Sequence, residues 1–226
     1  SQATQATLKG RNPLENSVQH YLLGLFAVAN NFPALAPFLA LSMGLSRFQK
    51  LGLITIGSAG AFIIMTTSML AGTAILGFFG ISISAFQIAG GILLGGTGMS
   101  MLNAKGAGDV HGKEVERPAI DRSTLVSTMI VPVTLPLTTG AGTISTVTVF
   151  AHEAVQAHAD IALFLAICAM AVIIFLIFLF AMSLMRFLGE VGMSVLIKVM
   201  GLFTLAIGVQ FIVNGITRIY PTLPAH

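Results

Sequence analysis

The chain has 226 residues, 55% of them hydrophobic and only 8% charged, with a net charge of +3. Soluble domains carry roughly 25% charged residues, so this chain has too few to clothe a water-facing surface. The composition excludes a soluble enzyme and describes an all-α integral membrane protein. The basic residues are scattered, with no aromatic-interleaved patch of the kind that binds nucleic acid.

Residues 1–17 are polar and read as an N-terminal tail. The apolar run that follows continues to full membrane length, unlike the short core of a secretory signal. Six spans follow by apolar length and charge boundaries: roughly 18–44, 51–77, 82–103, 125–150, 160–185 and 193–217. Leu51 to Ala104 contains no charged residue. As one helix it would be about 80 Å long against a hydrocarbon core of about 30 Å, so it must fold back. The turn signal lies at Gly77-Phe78-Phe79-Gly80-Ile81-Ser82. Residues 105–122 form a charged, glycine-containing connector. It divides a first three-helix repeat (18–104) from a second (123–218), and 219–226 is a short C-terminal tail.

Two stretches are unfit for an unbroken helix. The first is Asn30-Asn31-Phe32-Pro33-Ala34-Leu35-Ala36-Pro37, and the second runs from Pro132 through Pro136 to Thr138-Thr139-Gly140-Ala141-Gly142. Interrupted helices leave backbone groups unpaired in lipid, and survive only inside protein or beside a polar cavity. A breaker in corresponding positions of both halves is the sequence pointer to a transporter's site. The expected architecture is therefore six transmembrane helices in two inverted repeats, with helices 1 and 4 broken. A new helix is expected to restart near Thr143 to Ser145. Pro33 to Pro37 can be laid on Pro136 to Gly140, and Gln87 to Gly91 on Lys198 to Leu202.

The basic residues orient the chain. Lys9, Arg11 and Arg218 lie on one face; Arg47, Lys50, Lys105, Lys113, Arg117, Arg122, Arg186 and Lys198 lie on the other. The positive-inside rule places the second face in the cytoplasm and both termini outside. A bacterial-type cytoplasmic (inner) membrane is the expected location.

The breaks supply the candidate binding residues. Asn30 and Asn31 offer donors and acceptors to a zwitterion, or to carbonyls freed by Pro33 and Pro37. Thr138, Thr139, Gly140, Gly142 and Thr143 permit an unwound backbone before a helix N-terminus, which attracts a carboxylate. Gln87, Gln210 and Asn214 are secondary candidates, equally suited to joining helices. His152-Glu153 and His158 do not form a zinc motif, because positions i and i+6 stand about 240° apart on a helix. No acid–base or nucleophile–base set lies within a span, so no enzyme, metal or cofactor is expected. Coupling to Na+ or H+ stays open, through carbonyls, hydroxyls or the region near Lys198. Cys168 is single and reads as a small buried hydrophobe.

These stretches resemble the MarC family, also described as the small neutral amino-acid transporter family, within the lysine-exporter-like superfamily. The likeness rests on Phe79-Gly80-Ile81-Ser82-Ile83, Ile88 to Leu93, Pro136 to Ile144, and Met200-Gly201 through Gly208 to Ile216. It implies six spans in two inverted halves and carriage of alanine-, glycine- or serine-like substrates. Both breaks depart from the usual pattern. Asn31 stands where a proline is common, and Gly140-Ala141-Gly142 replaces Gly-Pro-Gly. The expected function is alternating-access transport of a small neutral amino acid or similar zwitterion. The alternative is a non-transporting accessory or scaffold subunit of a larger membrane complex.

Overall fold

The computed structural model describes residues 13–29, 32–42, 45–104 and 140–220, which are helices and short turns with no strand among them. Residues 1–12 of the expected tail, residues 30–31 and 43–44, the connector at 105–122, residues 123–139 and residues 221–226 lie outside the described residues, while residues 13–17 of that tail belong to the first helix.

Helix α1 (Pro13–Val28) ends at the first breaking stretch and α2 (Leu35–Ser42) follows it. Phe32 to Ala34 form a turn between them, with the Leu35 N–H donating to the Phe32 carbonyl at 3.1 Å. The prolines suit this restart. Pro33 precedes α2, and Pro37 occupies its third position, where the N–H has no intrahelical acceptor to lose.

Ser46 caps α3 (Arg47–Phe78) through a reciprocal pair with Gln49, at 3.3 Å and 2.9 Å. At about 48 Å, α3 is longer than a bilayer core is thick. The chain turns where glycine and serine lead it to be expected. Gly80 takes φ +67 while the Ile81 N–H reaches the Leu76 carbonyl at 2.9 Å, and Ser82 caps α4 (Ile83–Asn103).

In the second half, α5 (Ala141–Gln156) begins at Gly140, slightly before the expected restart. His158, at φ 52, turns the chain into α6 (Asp160–Leu179). The fifth span ends earlier than its apolar run suggests, at Phe180, and α7 (Ala181–Ile219) then contains a bend at Gly189 with φ 62 and ψ −177. Residues 181–188 thus form a short helical lead-in to the sixth span.

Helix α5 is the innermost, packed by α1, α3, α4 and α6. Thr143 and every residue from Ser145 to Ala151 are buried, so it presents almost no face outward. Helix α7 lies chiefly along α4. Their contact is glycine on glycine: an added Cβ on Gly91 would stand 2.5 Å from the Gly208 carbonyl, and one on Gly98 would stand 2.7 Å from that of Gly201. Small residues at heptad spacing bring two backbones together where no side chain fits between them.

Among the described residues, four helices, α3, α4, α6 and α7, are long and apolar enough to cross a membrane. Their exposed side chains are large and apolar, including Ile63, Leu70, Val172, Leu176, Phe203 and Val209. In water these would form an aggregation-prone belt; against lipid they need no cover.

Candidate functional site

The C-terminal end of α1 and the N-terminal end of α5 meet. An added Cβ on Gly142 would lie 3.9 Å from Val28 Cγ1 and 2.6 Å from Leu94 Cδ2 of α4. The end of the helix before the first break therefore touches the start of the helix after the second.

The depth of this meeting follows from helix rise. Glu153 and its ion-pair partner Arg218, 3.4 Å apart, mark the polar end of α5. Ala141 lies about 18 Å below Glu153 along the axis, and Val28 about 16 Å below Ser17. Either distance reaches roughly the middle of a hydrocarbon core of about 30 Å.

The two ends carry opposite partial charge. A helix C-terminus presents carbonyls worth about −0.5 charge, and an N-terminus presents N–H groups worth about +0.5. Gly140 has no side chain and makes no side-chain cap on α5, while its carbonyl accepts from Thr143 N at 2.9 Å and Ile144 N at 3.2 Å. Across from it, the Ala27 carbonyl accepts from Thr204 Oγ1 of α7 at 2.6 Å. That hydroxyl also lies 2.9 Å from the Met200 carbonyl, so one proton is shared between two acceptors.

Hydroxyls on α5 divide by role. Thr146 Oγ1 donates to the Gly142 carbonyl at 2.8 Å and Thr148 Oγ1 to the Ile144 carbonyl at 2.9 Å. Such back-bonding satisfies a hydroxyl within its own helix. Ser145 Oγ has no partner, nor has either polar atom of Gln87. Both residues are buried, Gln87 to 0% exposure.

Of the residues expected at the site, Gly140, Gly142 and Thr143 fall in or beside the first turn of α5, and Pro33 is buried in the turn between α1 and α2. Asn30, Asn31, Thr138 and Thr139 lie outside the described residues. Gln210 and Asn214 sit elsewhere: Gln210 Nε2 donates to Asn214 Oδ1 at 2.7 Å near the C-terminal end of α7, with Gln210 exposed. A polar pair turned toward lipid satisfies itself in this way. His152 contacts Gln156 at 3.0 Å, and no group of three metal-ligating side chains occurs among the described residues.

Leu94, Ser145 and Thr204 belong to this region and are missed by pattern alone. The Thr143-Ile144-Ser145-Thr146 run is a visible hydroxyl signal. Thr204 is a lone hydroxyl in an apolar helix and carries none.

An open groove of about 310 Å³ lies between α3 and α6, lined by Thr55, Ser58, Ala59, Phe62, Val172 and Phe175 among others. Its walls are almost wholly apolar, and Thr55 Oγ1 is already bonded to the Leu51 carbonyl at 2.9 Å. It offers a zwitterion no paired charges, whereas the α1–α5 meeting does.

Residues 16–220 match the MarC family of integral membrane proteins. The chain belongs to the MarC family. It is 32% identical over 203 residues to the UPF0056 membrane protein YhcE of Escherichia coli, covering 90% of this chain and 93% of that one. It is 34% identical over 203 residues to the UPF0056 membrane protein MJ1677 of Methanocaldococcus jannaschii, covering 88% and 97%. YvbG of Bacillus subtilis, also a UPF0056 membrane protein, is 28% identical over 214 residues, covering 91% and 97%. No solved structure matches. As a MarC protein this chain is a multi-pass integral membrane protein, and its apolar helices agree with that.

Proposed function

We propose that this MarC protein is a secondary transporter of small neutral amino acids or similar zwitterions, working by alternating access across a bacterial-type cytoplasmic membrane. The observation that supports this most is the meeting of opposite helix ends, Val28 of α1 and Gly142 of α5; helix rise sets it about half a bilayer core from the polar ends of both helices. A zwitterion placed there has its carboxylate toward the N–H groups of α5 and its ammonium toward the carbonyls of α1. Asn30, Asn31, Thr138 and Thr139 complete the site from the adjoining breaks, with Pro33, Gly140 and Gly142 keeping the backbone open.

The halves are read as inverted repeats with broken first and fourth helices. The α4–α7 contact is antiparallel, as this reading requires: the one step of seven along α4, from Gly91 to Gly98, is matched by a step of seven back along α7, from Gly208 to Gly201, a register one residue from the alignment of Gln87–Gly91 on Lys198–Leu202. A two-fold relation exchanging third and sixth spans would produce that self-complementary pattern. Rocking one half against the other would open the site to each side in turn. Both termini are placed outside by the basic-residue asymmetry. The carrier performs no covalent chemistry.

Counterflow in proteoliposomes tests this reading. Liposomes loaded with unlabelled alanine, glycine or serine should accumulate the labelled amino acid, and Asn30→Ala and Thr139→Val should each reduce accumulation at least tenfold. Absence of counterflow with all three, from protein that remains monodisperse, would contradict transport of this class. Unchanged counterflow in both variants would move the site elsewhere.

A further inference from the structure

The open groove between α3 and α6 leads to a charged end. Phe62 of α3 meets Phe164 of α6 with ring centroids 6.2 Å apart, while Thr55 and Phe175 line the groove further along. The two helices therefore run antiparallel, and the groove points toward the start of α3 and the end of α6. On α3, Phe48, Leu51, Thr55, Ser58, Ala59 and Phe62 recur three or four residues apart, so the groove face continues into the first turn. Phe48 is 88% exposed and Leu51 43%, so the protein leaves this apolar track uncovered.

The same turn lacks negative charge. Arg47 and Lys50 occupy it, Arg47 directly before Phe48, and it holds no acidic residue. A helix N-terminus already carries about +0.5 charge, a setting that favours acidic side chains over basic ones. Neither cation has an ion-pair partner among the described residues. Arg186, exposed in the stretch that follows α6, adds a third positive charge toward this end. Among the described residues here, Glu190 is the one acid against Arg47, Lys50, Arg186 and Lys198.

An amphiphile with an anionic head answers both features. An acyl chain needs no hydrogen-bond partner and suits a groove of about 310 Å³ with almost wholly apolar walls. A phosphate accepts from the Arg47 guanidinium and the Lys50 ammonium. Between Arg47 and Thr55 lie about 12 Å of helix, tracked by Phe48 and Leu51, along which the upper part of the chain can run. A second copy of this chain is the poorer occupant. Related by an axis along the membrane normal, it would set its own Arg47 and Lys50 at the same depth, like charge against like.

We propose that the α3–α6 groove binds one anionic phospholipid of the surrounding bilayer, its acyl chain along Leu51, Ala59 and Phe62 and its phosphate held by Arg47 and Lys50. This site is separate from the α1–α5 meeting and does not depend on the transport reading.

Native mass spectrometry of the full chain in detergent tests it, with phosphatidylglycerol and phosphatidylcholine of identical acyl chains offered in equal amounts. Wild type should retain one phosphatidylglycerol in preference to phosphatidylcholine. Arg47→Gln should lower that preference about fivefold, and Arg47→Gln with Lys50→Gln about 25-fold, since each cation near an anionic surface contributes about that factor. Ala59→Phe, which fills the groove, should remove the retained lipid. Arg218→Gln, at the opposite end of the fold, should leave retention unchanged. Melting temperatures without added lipid report folding, and the surface variants at Arg47 and Lys50 decide the matter even if Ala59→Phe does not fold. Equal retention of the two lipids by wild type, or a preference unchanged in the double variant, overturns the site. Full retention by folded Ala59→Phe overturns the groove as the seat of the acyl chain.

Discussion

Thr204 joins α7 to the last turn of α1 through one hydroxyl, 2.6 Å from the Ala27 carbonyl. That carbonyl lies near the end of its helix, where intrahelical donors run out, and no water reaches it in the bilayer. Thr204→Val keeps the shape and removes the donor, and should cost about 1–3 kcal/mol. Thr204→Ser should recover most of it. Thermal unfolding in detergent measures both; equal melting temperatures for wild type and Thr204→Val would show that the bond carries no weight. By contrast, the Arg218–Glu153 pair is partly exposed at 3.4 Å, a setting where ion pairs contribute little.

Helix α4 carries a dense run of glycines whose neighbours differ sharply. Gly98 faces α7, where an added Cβ would stand 2.7 Å from both the Gly201 carbonyl oxygen and Leu205 N. These are backbone atoms and cannot swing aside. Gly96, two residues away, has nothing within 4 Å of that position. Gly98→Ala should therefore force the helices apart at about 1–3 kcal/mol, the usual cost of overpacking. Gly96→Ala should be neutral or slightly stabilising, since alanine is the better helix former. A denaturation series on both variants checks this; equal effects would mean that the two helices do not touch as described. The same distinction explains why the sequence alone leaves the glycines ambiguous. Spacing shows that a helix can be approached closely, but not which face is approached.

At the scale of the molecule, apolar length and charge boundaries locate the second, third, fifth and sixth spans, found as α3, α4, α6 and α7, because lipid imposes a minimum apolar length on them. Gly77 to Ser82 is legible as a turn because glycine and serine there serve left-handed backbone and helix capping. The bend at Gly189 is not legible, since it is one glycine among 24 and no proline or second glycine stands beside it. At the candidate site, Gly140, Gly142 and Thr143 are legible as breakers beside a helix start. Ser145 and Thr204 are not, because a hydroxyl's partner depends on which helix packs against it, and that is a property of the tertiary fold. Gln87 stands out as a buried amide, yet only packing reveals that it lacks a partner.

The central claim is that the ends of α1 and α5 meet at a substrate site, and oxidative cross-linking tests it directly. An added Cβ on Gly142 lies 3.9 Å from Val28 Cγ1, so cysteines at the two positions are close enough for a small side-chain shift to join them, and the Leu94 methyl in the way is the end of a flexible side chain. With Cys168→Ala removing the native thiol, Val28→Cys combined with Gly142→Cys should form a disulfide in native membranes. Saturating alanine or serine should slow it, and the linked peptides would be read by mass spectrometry. A cross-link that forms and is slowed by substrate is the predicted result. Failure to cross-link under any oxidant, or a rate indifferent to every small amino acid, would contradict it.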